Sequence, residues 1–351
     1  MEKKRNLGID FTKFVCAIMV VGIHIAPFGI QETNSDLYYA NFYLQNCVFR
    51  IAVPFFFVCN GYFLCMRMDY DGDTGNIIKN TFLKILKLYL IWSAIYFPLN
   101  LISIYKNEKG LVHGLLSYAK NFLLTGSYTQ LWYLNALCVA LLIIYICYKL
   151  KIRLKHMMVI AAILYVIGLM GNSYFNVANK VHIFSLFFKT YNRIFITTRN
   201  GVFEAFFFVT IGMTLFKNKD RILQKKVWIC LLCSCVLWFA EVSLLKHFNF
   251  AKNYDCTFFV VPVVILLFIT VFNINISNEI LCRKLGILSR LIFYTHLLVA
   301  FIIDIIFKHI PSHLLSTPLR FGTVVVITIL ISIFMLRLSD KKKLEWIKKL
   351  Y

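Results

Sequence analysis

The chain has 351 residues, 60% hydrophobic and only 15% charged, with mean hydropathy +0.73 and formal net charge +22. A soluble globular chain carries about 25% charged residues, so the composition points to a membrane protein, and its long continuous apolar runs exclude the alternating strands of a β-barrel. The positive charge sits in short segments that set membrane orientation and meet anionic lipid, so no nucleic-acid partner is expected.

The apolar runs predict an all-α membrane protein of about ten transmembrane helices, near 11–28, 44–66, 82–105, 131–148, 157–171, 201–216, 227–245, 257–273, 288–307 and 321–337. With the N-terminus inside, the inner segments carry 22 Lys and Arg and the outer loops 11, which predicts both termini cytoplasmic. A single integral membrane domain over 1–351 is expected, with no soluble domain and no internal repeat. The basic start Glu2-Lys3-Lys4-Arg5 is followed by no clean small-x-small site, so a cleavable signal peptide is not expected.

Taken in order, the first span contains His24. An ionisable side chain there costs about 2.5–3.5 kcal/mol, so it faces protein or water and is a functional candidate. Asp10 and Lys13 precede it by fourteen and eleven residues, which brings all three near one helix face, with His24 roughly 16 Å along the axis from Lys13. A capping Asp, a snorkelling Lys and a His bonded to a neighbouring helix would give the same pattern. The first outer loop, Gly29 to Tyr43, has no basic residue. The second span opens with Arg50 and contains Pro54 and Asn60-Gly61. Pro54 should kink it and free a carbonyl, Asn60 can hydrogen-bond, and Gly61 permits close helix approach; packing alone would also explain these residues.

Lys79, Lys84 and Lys87 gather at the inner end of the third span, where Lys84 and Lys87 share a face. They suit a phosphate-rich ligand such as a nucleotide, or simple positive-inside anchoring. The outer loops 106–130 and 172–200 are longer than a turn needs and could cap an outward-facing site. At the start of the sixth span come Arg193, Thr197-Thr198-Arg199-Asn200-Gly201 and Glu204, with Arg199 the nearest partner for the Glu204 carboxylate. Cys230 and Cys233 form a CxxC with no second pair and no nearby His, so packing is the expectation. Glu241 and Asp304 are intramembrane acids with no partner visible in the sequence. His296 is a second intramembrane histidine, suited to a structural hydrogen bond or a ligand contact. His113, His156, His182, His247, His309 and His313 receive no role, none pairs at metal-ligand spacing, and no metal is expected. Walker, GxGxxG, HExxH and GxSxG motifs are absent. The basic tail from Lys341 to Lys349 reads as a cytoplasmic anchor.

Together these segments resemble the acyltransferase-3 family of bacterial integral membrane acyltransferases. Gly8-Ile9-Asp10 through His24 looks like that family's first-helix signature, a basic residue eleven before a His. Arg50 to Tyr62 is similar to its second-helix segment, Leu131-Trp132-Tyr133-Leu134 to its W-[YF]-L element, and Leu285 to Ser289 with Tyr294-Thr295-His296 to its late helix element. Thr198-Arg199-Asn200-Gly201 is similar to the membrane domain of vancomycin-resistance serine racemases, whose racemase domain is not expected in this chain. Asn60 stands where the family often has Ser, and Lys13, Lys84 and Lys87 where it often has Arg, which replaces bidentate geometry by a point charge.

The resemblance implies an O-acyltransferase of the bacterial plasma membrane that moves an acyl, commonly acetyl, group from cytoplasmic acyl-coenzyme A to a hydroxyl across the membrane. It implies His24 as general base, with Asp10, Lys13, Arg50 and Asn60 in support, and Lys84 and Lys87 as the coenzyme A site. Trp132, Tyr133, Arg199, Asn200, Glu204 and His296 would meet an acceptor such as a surface polysaccharide, peptidoglycan, a lipid-linked sugar or a small hydroxyl compound. Two alternatives stay open: a transporter for an amino acid such as serine, and a nonenzymatic partner of envelope machinery.

Overall fold

The computed structural model describes residues 6–28, 35–106, 110–222, 226–274, 278–307 and 317–351. The basic run at 3–5, part of the first outer loop, His309 and His313 lie outside them. Among the described residues the secondary structure is entirely helical. The helices are α1 (Leu7–His24), α2 (Asp36–Tyr43), α3 (Ala52–Asp71), α4 (Thr74–Tyr105), α5 (Leu111–Leu124), α6 (Trp132–Lys149), α7 (Leu154–Met170), α8 (Phe175–Ala178), α9 (His182–Ile194), α10 (Phe206–Lys217), α11 (Lys219–Ile222), α12 (Trp228–His247), α13 (Val260–Phe272), α14 (Glu279–Phe307) and α15 (Thr317–Ser339). A π-turn (Leu44–Val48) and a 3-10 turn (Phe49–Ile51) join α2 to α3, a second π-turn (Gly201–Ala205) opens α10, and a 3-10 segment (Lys342–Leu350) ends the chain.

Among the described residues seven helical stretches are long and apolar enough to cross a membrane: Leu7–His24, Asp36–Asp71, Thr74–Tyr105, Trp132–Lys149, Trp228–His247, Glu279–Ile306 and Pro318–Ser339. The expected spans 157–171, 201–216 and 257–273 coincide with helices too, but α7, α10 and α13 have only 17, 12 and 13 residues. At about 1.5 Å per residue each falls short of a hydrocarbon layer about 30 Å thick. The chain is a multi-pass membrane protein.

Two compact units divide it, one formed by 1–55 with 267–351 and the other by 56–266. In the first, α1 lies along α14, and α14 along α15. Asn6 caps α1, accepting the Ile9 amide at 3.0 Å and donating to the Phe272 carbonyl at 2.7 Å. The helix stops at His24, four residues before the expected end, because Pro27 disfavours helical backbone in the residue preceding it. The irregular turns at 44–51 precede Pro54, whose missing N–H and ring clash with the residue 50 carbonyl break the regular ladder. The expected kink is therefore spread over two turns rather than placed at the proline.

In the second unit α4 packs on α5 and α6, and α6, α7 and α10 surround the 201–205 turn. Spanning 32 residues, α4 is longer than the expected 82–105 because Asp73 caps it early, accepting the Asn76 amide at 3.1 Å. Gly61 and Gly212 bring α3 and α10 together: a Cβ on Gly61 would collide with the Val209 carbonyl, and one on Gly212 with the Val58 carbonyl. Both collisions are with backbone, which cannot swing aside. Gly61→Val should therefore part the helices at a cost of about 3 kcal/mol, read as a lowered unfolding temperature in detergent; an unchanged midpoint would show that this approach does not matter.

Candidate functional site

Each unit carries its own cluster of polar side chains. In the first, His24 closes α1 in its last turn and His296 lies within α14. Their ring centroids are 5.3 Å apart with planes at 33°. His296 is fully buried, and its Nδ1 lies 3.0 Å from the Ile292 carbonyl one turn earlier. Gln45, on the π-turn, donates to the Gly22 and Ile23 carbonyls at 3.3 and 3.2 Å. These are among the last carbonyls of α1, which find no intrahelical partner, so Gln45 fixes the turn that presents His24.

Asp10 and Lys13 sit at the other end of α1, with Lys13 Nζ 3.8 Å from the Asp10 carboxylate. The expected capping alternative for Asp10 is corrected here: Asn6 caps the helix, and Asp10 is buried in the first turn. Arg50 lies on the 3-10 turn Phe49–Ile51, which packs against α1. The close pack at this crossing is made by Gly22, where a Cβ would strike the Phe49 ring.

In the second unit Asn60 donates to the Tyr133 hydroxyl at 2.7 Å and to the Phe56 carbonyl at 2.8 Å. Tyr133 stacks on Phe57 with centroids 4.7 Å apart. The neighbouring Trp132 is set by Gly126, which has φ +105°; a side chain there would be strained and would also press on the Trp132 backbone. The Arg199 guanidinium lies over the Trp132 ring, 4.5 Å from its centroid, a cation–π arrangement. Arg199 Nη1 also donates to Asp255 at 3.0 Å.

This corrects the expected Arg199–Glu204 pair. The acid that closes on Arg199 is Asp255, while Glu204, buried on the π-turn, hydrogen-bonds with the Cys256 thiol. Burial opposes the charge of Arg199, and Asp255 and Glu204 more than offset it, so the guanidinium is held above its ordinary pKa. Asn200 is committed to shaping the turn: its Oδ1 accepts the Val202 and Phe203 amides, and its Nδ2 donates to the Tyr191 hydroxyl at 2.6 Å. Lys84 and Lys87 are exposed on α4, one turn apart.

Two acids that looked partnerless have partners. Glu241 accepts the Phe258 and Phe259 amides at 2.6 and 2.8 Å and the Tyr174 hydroxyl at 2.7 Å, which caps the start of α13. Asp304 receives a bidentate pair from Arg320, both contacts 2.7 Å. Sequence reasoning missed Asp255, Gln45 and Arg320 as partners, since each bond joins residues well apart in the chain. Removing Arg199 as Arg199→Ala should take away the 3.0 Å charged hydrogen bond to the buried Asp255 and cost about 3 kcal/mol. Adding Asp255→Asn should recover part of that loss in the same unfolding measurement; no recovery would dissociate the two residues energetically.

Among the described residues no group of three or more His, Cys, Asp or Glu side chains comes together as a metal site. The profile of the acyltransferase-3 family, described as an acyltransferase domain, matches residues 6–337. An amino-acid racemase of Enterococcus faecalis is 31% identical over 263 residues, which cover 74% of this chain and 35% of that protein. Another amino-acid racemase of that species is 28% identical over 349 residues, 98% of this chain and 48% of the relative. A serine/alanine racemase of Enterococcus gallinarum is 27% identical over 263 residues, 74% of this chain and 36% of the relative. The chain thus spans less than half the length of these relatives. No solved structure matches it.

Proposed function

Because the chain belongs to the acyltransferase-3 family, we propose that it moves an acyl, commonly acetyl, group from cytoplasmic acyl-coenzyme A to a hydroxyl on a cell-envelope or extracytoplasmic acceptor. The observation that carries this reading is the family match over residues 6–337. In this reading the protein lies in the bacterial plasma membrane with about ten passes, the short helices α7, α10 and α13 counted among them, and both termini inside. Lys84 and Lys87 bind the phosphates of coenzyme A at the inner mouth, where an exposed pair of ammonium groups suits a multiply charged anion. Asp10 and Lys13, near the start of α1, organise the donor entrance, with Arg50 and Asn60 in support.

His24 takes the proton from the acceptor hydroxyl as that oxygen bonds to the acyl carbonyl carbon, a role that suits an imidazole because one ring nitrogen can accept a proton and later return it. The carbon–sulfur bond then breaks, and the departing thiolate of coenzyme A receives the proton from His24. Trp132, Tyr133, Arg199, Glu204 and His296 meet the acceptor, and Asn200 shapes the turn that carries Glu204. The acceptor is a surface polysaccharide, peptidoglycan, a lipid-linked sugar or a small hydroxyl compound.

A second reading, a transporter for a small amino acid such as serine, draws on the similarity to proteins named amino-acid and serine/alanine racemases. Membrane vesicles separate the two. Labelled acetyl-coenzyme A supplied at the cytoplasmic face should pass its acetyl group to the envelope fraction. Serine accumulation without coenzyme A, and no acetyl transfer, would replace the enzyme by the transporter.

A further inference from the structure

We propose that His296 is the positioning residue of His24, holding the imidazole of His24 in the tautomer that accepts a proton. The inference rests on the reading of His24 as the base, and it goes beyond the acceptor contact assigned to His296 above. A carbonyl oxygen only accepts, so the nitrogen 3.0 Å from the Ile292 carbonyl, Nδ1 of His296, carries the ring proton. The other nitrogen, Nε2, is then a bare lone pair. It is buried and has no hydrogen-bond partner among the described residues.

An acceptor left without a partner in the interior costs about 1–3 kcal/mol, and buried groups left so are rare enough to need a reason. The neighbouring imidazole supplies one. The His24 ring is 5.3 Å away by centroids, on the helix that lies beside α14 in the same unit. Gln45 ties down the turn from which His24 projects, and the burial of His296 fixes the other ring.

In this arrangement one bound hydroxyl stands between the two rings, accepting the N–H of His24 and donating to Nε2 of His296. The second nitrogen of His24 is thereby left unprotonated toward the acceptor. His296 neither gains nor loses a proton during transfer. When His24 takes the proton of the acceptor hydroxyl, the hydrogen bond to Nε2 persists and stabilises the imidazolium until the thiolate of coenzyme A is protonated. The reaction balances as hydroxyl plus thioester giving ester plus thiol.

Two substitutions separate positioning from packing. His296→Phe keeps a ring and removes the lone pair, whereas His296→Gln offers an amide oxygen near the place of Nε2. His296→Phe should lower kcat about 100-fold with the KM for acetyl-coenzyme A unchanged, and His296→Gln should restore most of it. In a His24→Ala background His296→Phe should have no further effect on the residual rate. Spectra of 15N-histidine-labelled wild-type protein in lipid nanodiscs should show the His296 proton on Nδ1, a readout independent of how the variants fold.

A wild-type rate in His296→Phe, equal losses in the Phe and Gln variants, additive losses with His24→Ala, or a proton on Nε2 would each overturn the proposal. Failure of the underlying reading looks different: His24→Ala would itself turn over at the wild-type rate.

Discussion

Replacing His24 with alanine is expected to abolish acyl transfer while leaving the protein folded. A positioned general base contributes about 10²–10⁴-fold to the rate, and alanine leaves no group on this turn to take the acceptor proton. The fold should survive because the turn is held by others: Gln45 satisfies the Gly22 and Ile23 carbonyls, and α1 and α14, which lie side by side, both bury apolar residues such as Ala17, Val20, Val21 and Leu291. Coenzyme A binding should be retained, since the proposed donor site lies on α4. The check is release of free thiol from acetyl-coenzyme A by purified protein, beside an unfolding curve for each variant. A His24→Ala protein that turns over at the wild-type rate would remove His24 from the chemistry.

The joint variant Lys84→Ala/Lys87→Ala is expected to lose donor binding. A hydrogen bond between an ammonium and a phosphate is worth about 1.5–3 kcal/mol, and each 1.4 kcal/mol is about tenfold in affinity. Losing two should weaken acetyl-coenzyme A binding by about 100-fold or more, with a raised KM and a smaller change in kcat at saturating donor. Calorimetry or equilibrium dialysis in detergent reads this directly. If the lysines serve only as positive-inside anchors, the same variant will bind normally and change its insertion or abundance instead.

Much of the fold was legible because lipid leaves helices few alternatives. Each expected span meets a helix, since a long apolar run can satisfy its backbone in no other way without closing a barrel. Length was less legible. The short helices α7, α10 and α13 meet expected spans that are short in the sequence as well, while the exact helix ends are set by local capping and by chain that leaves the helix. The tail of α1 shows the same limit: hydropathy continues to Phe28, but Pro27 ends the helix at His24.

At the candidate site, residues within one turn of each other were readable and long-range partners were not. Asn60 and Gly61 were expected to supply a hydrogen bond and a close approach, and the structure has both. Arg199 was paired with Glu204, five residues away, whereas the bond runs to Asp255 across 56 residues. Nothing in a single sequence encodes that distance. The same holds for His24 and His296, each visible in the sequence as an ionisable residue within an apolar run but brought together only when α1 and α14 pack.

The first measurement for acyl transfer by this chain is acetyl-coenzyme A binding and thiol release in purified wild-type protein, with His24→Ala alongside. Both proteins are expected to bind the donor, and only the wild type to release free thiol. No binding by the wild type at about millimolar donor would contradict that reading.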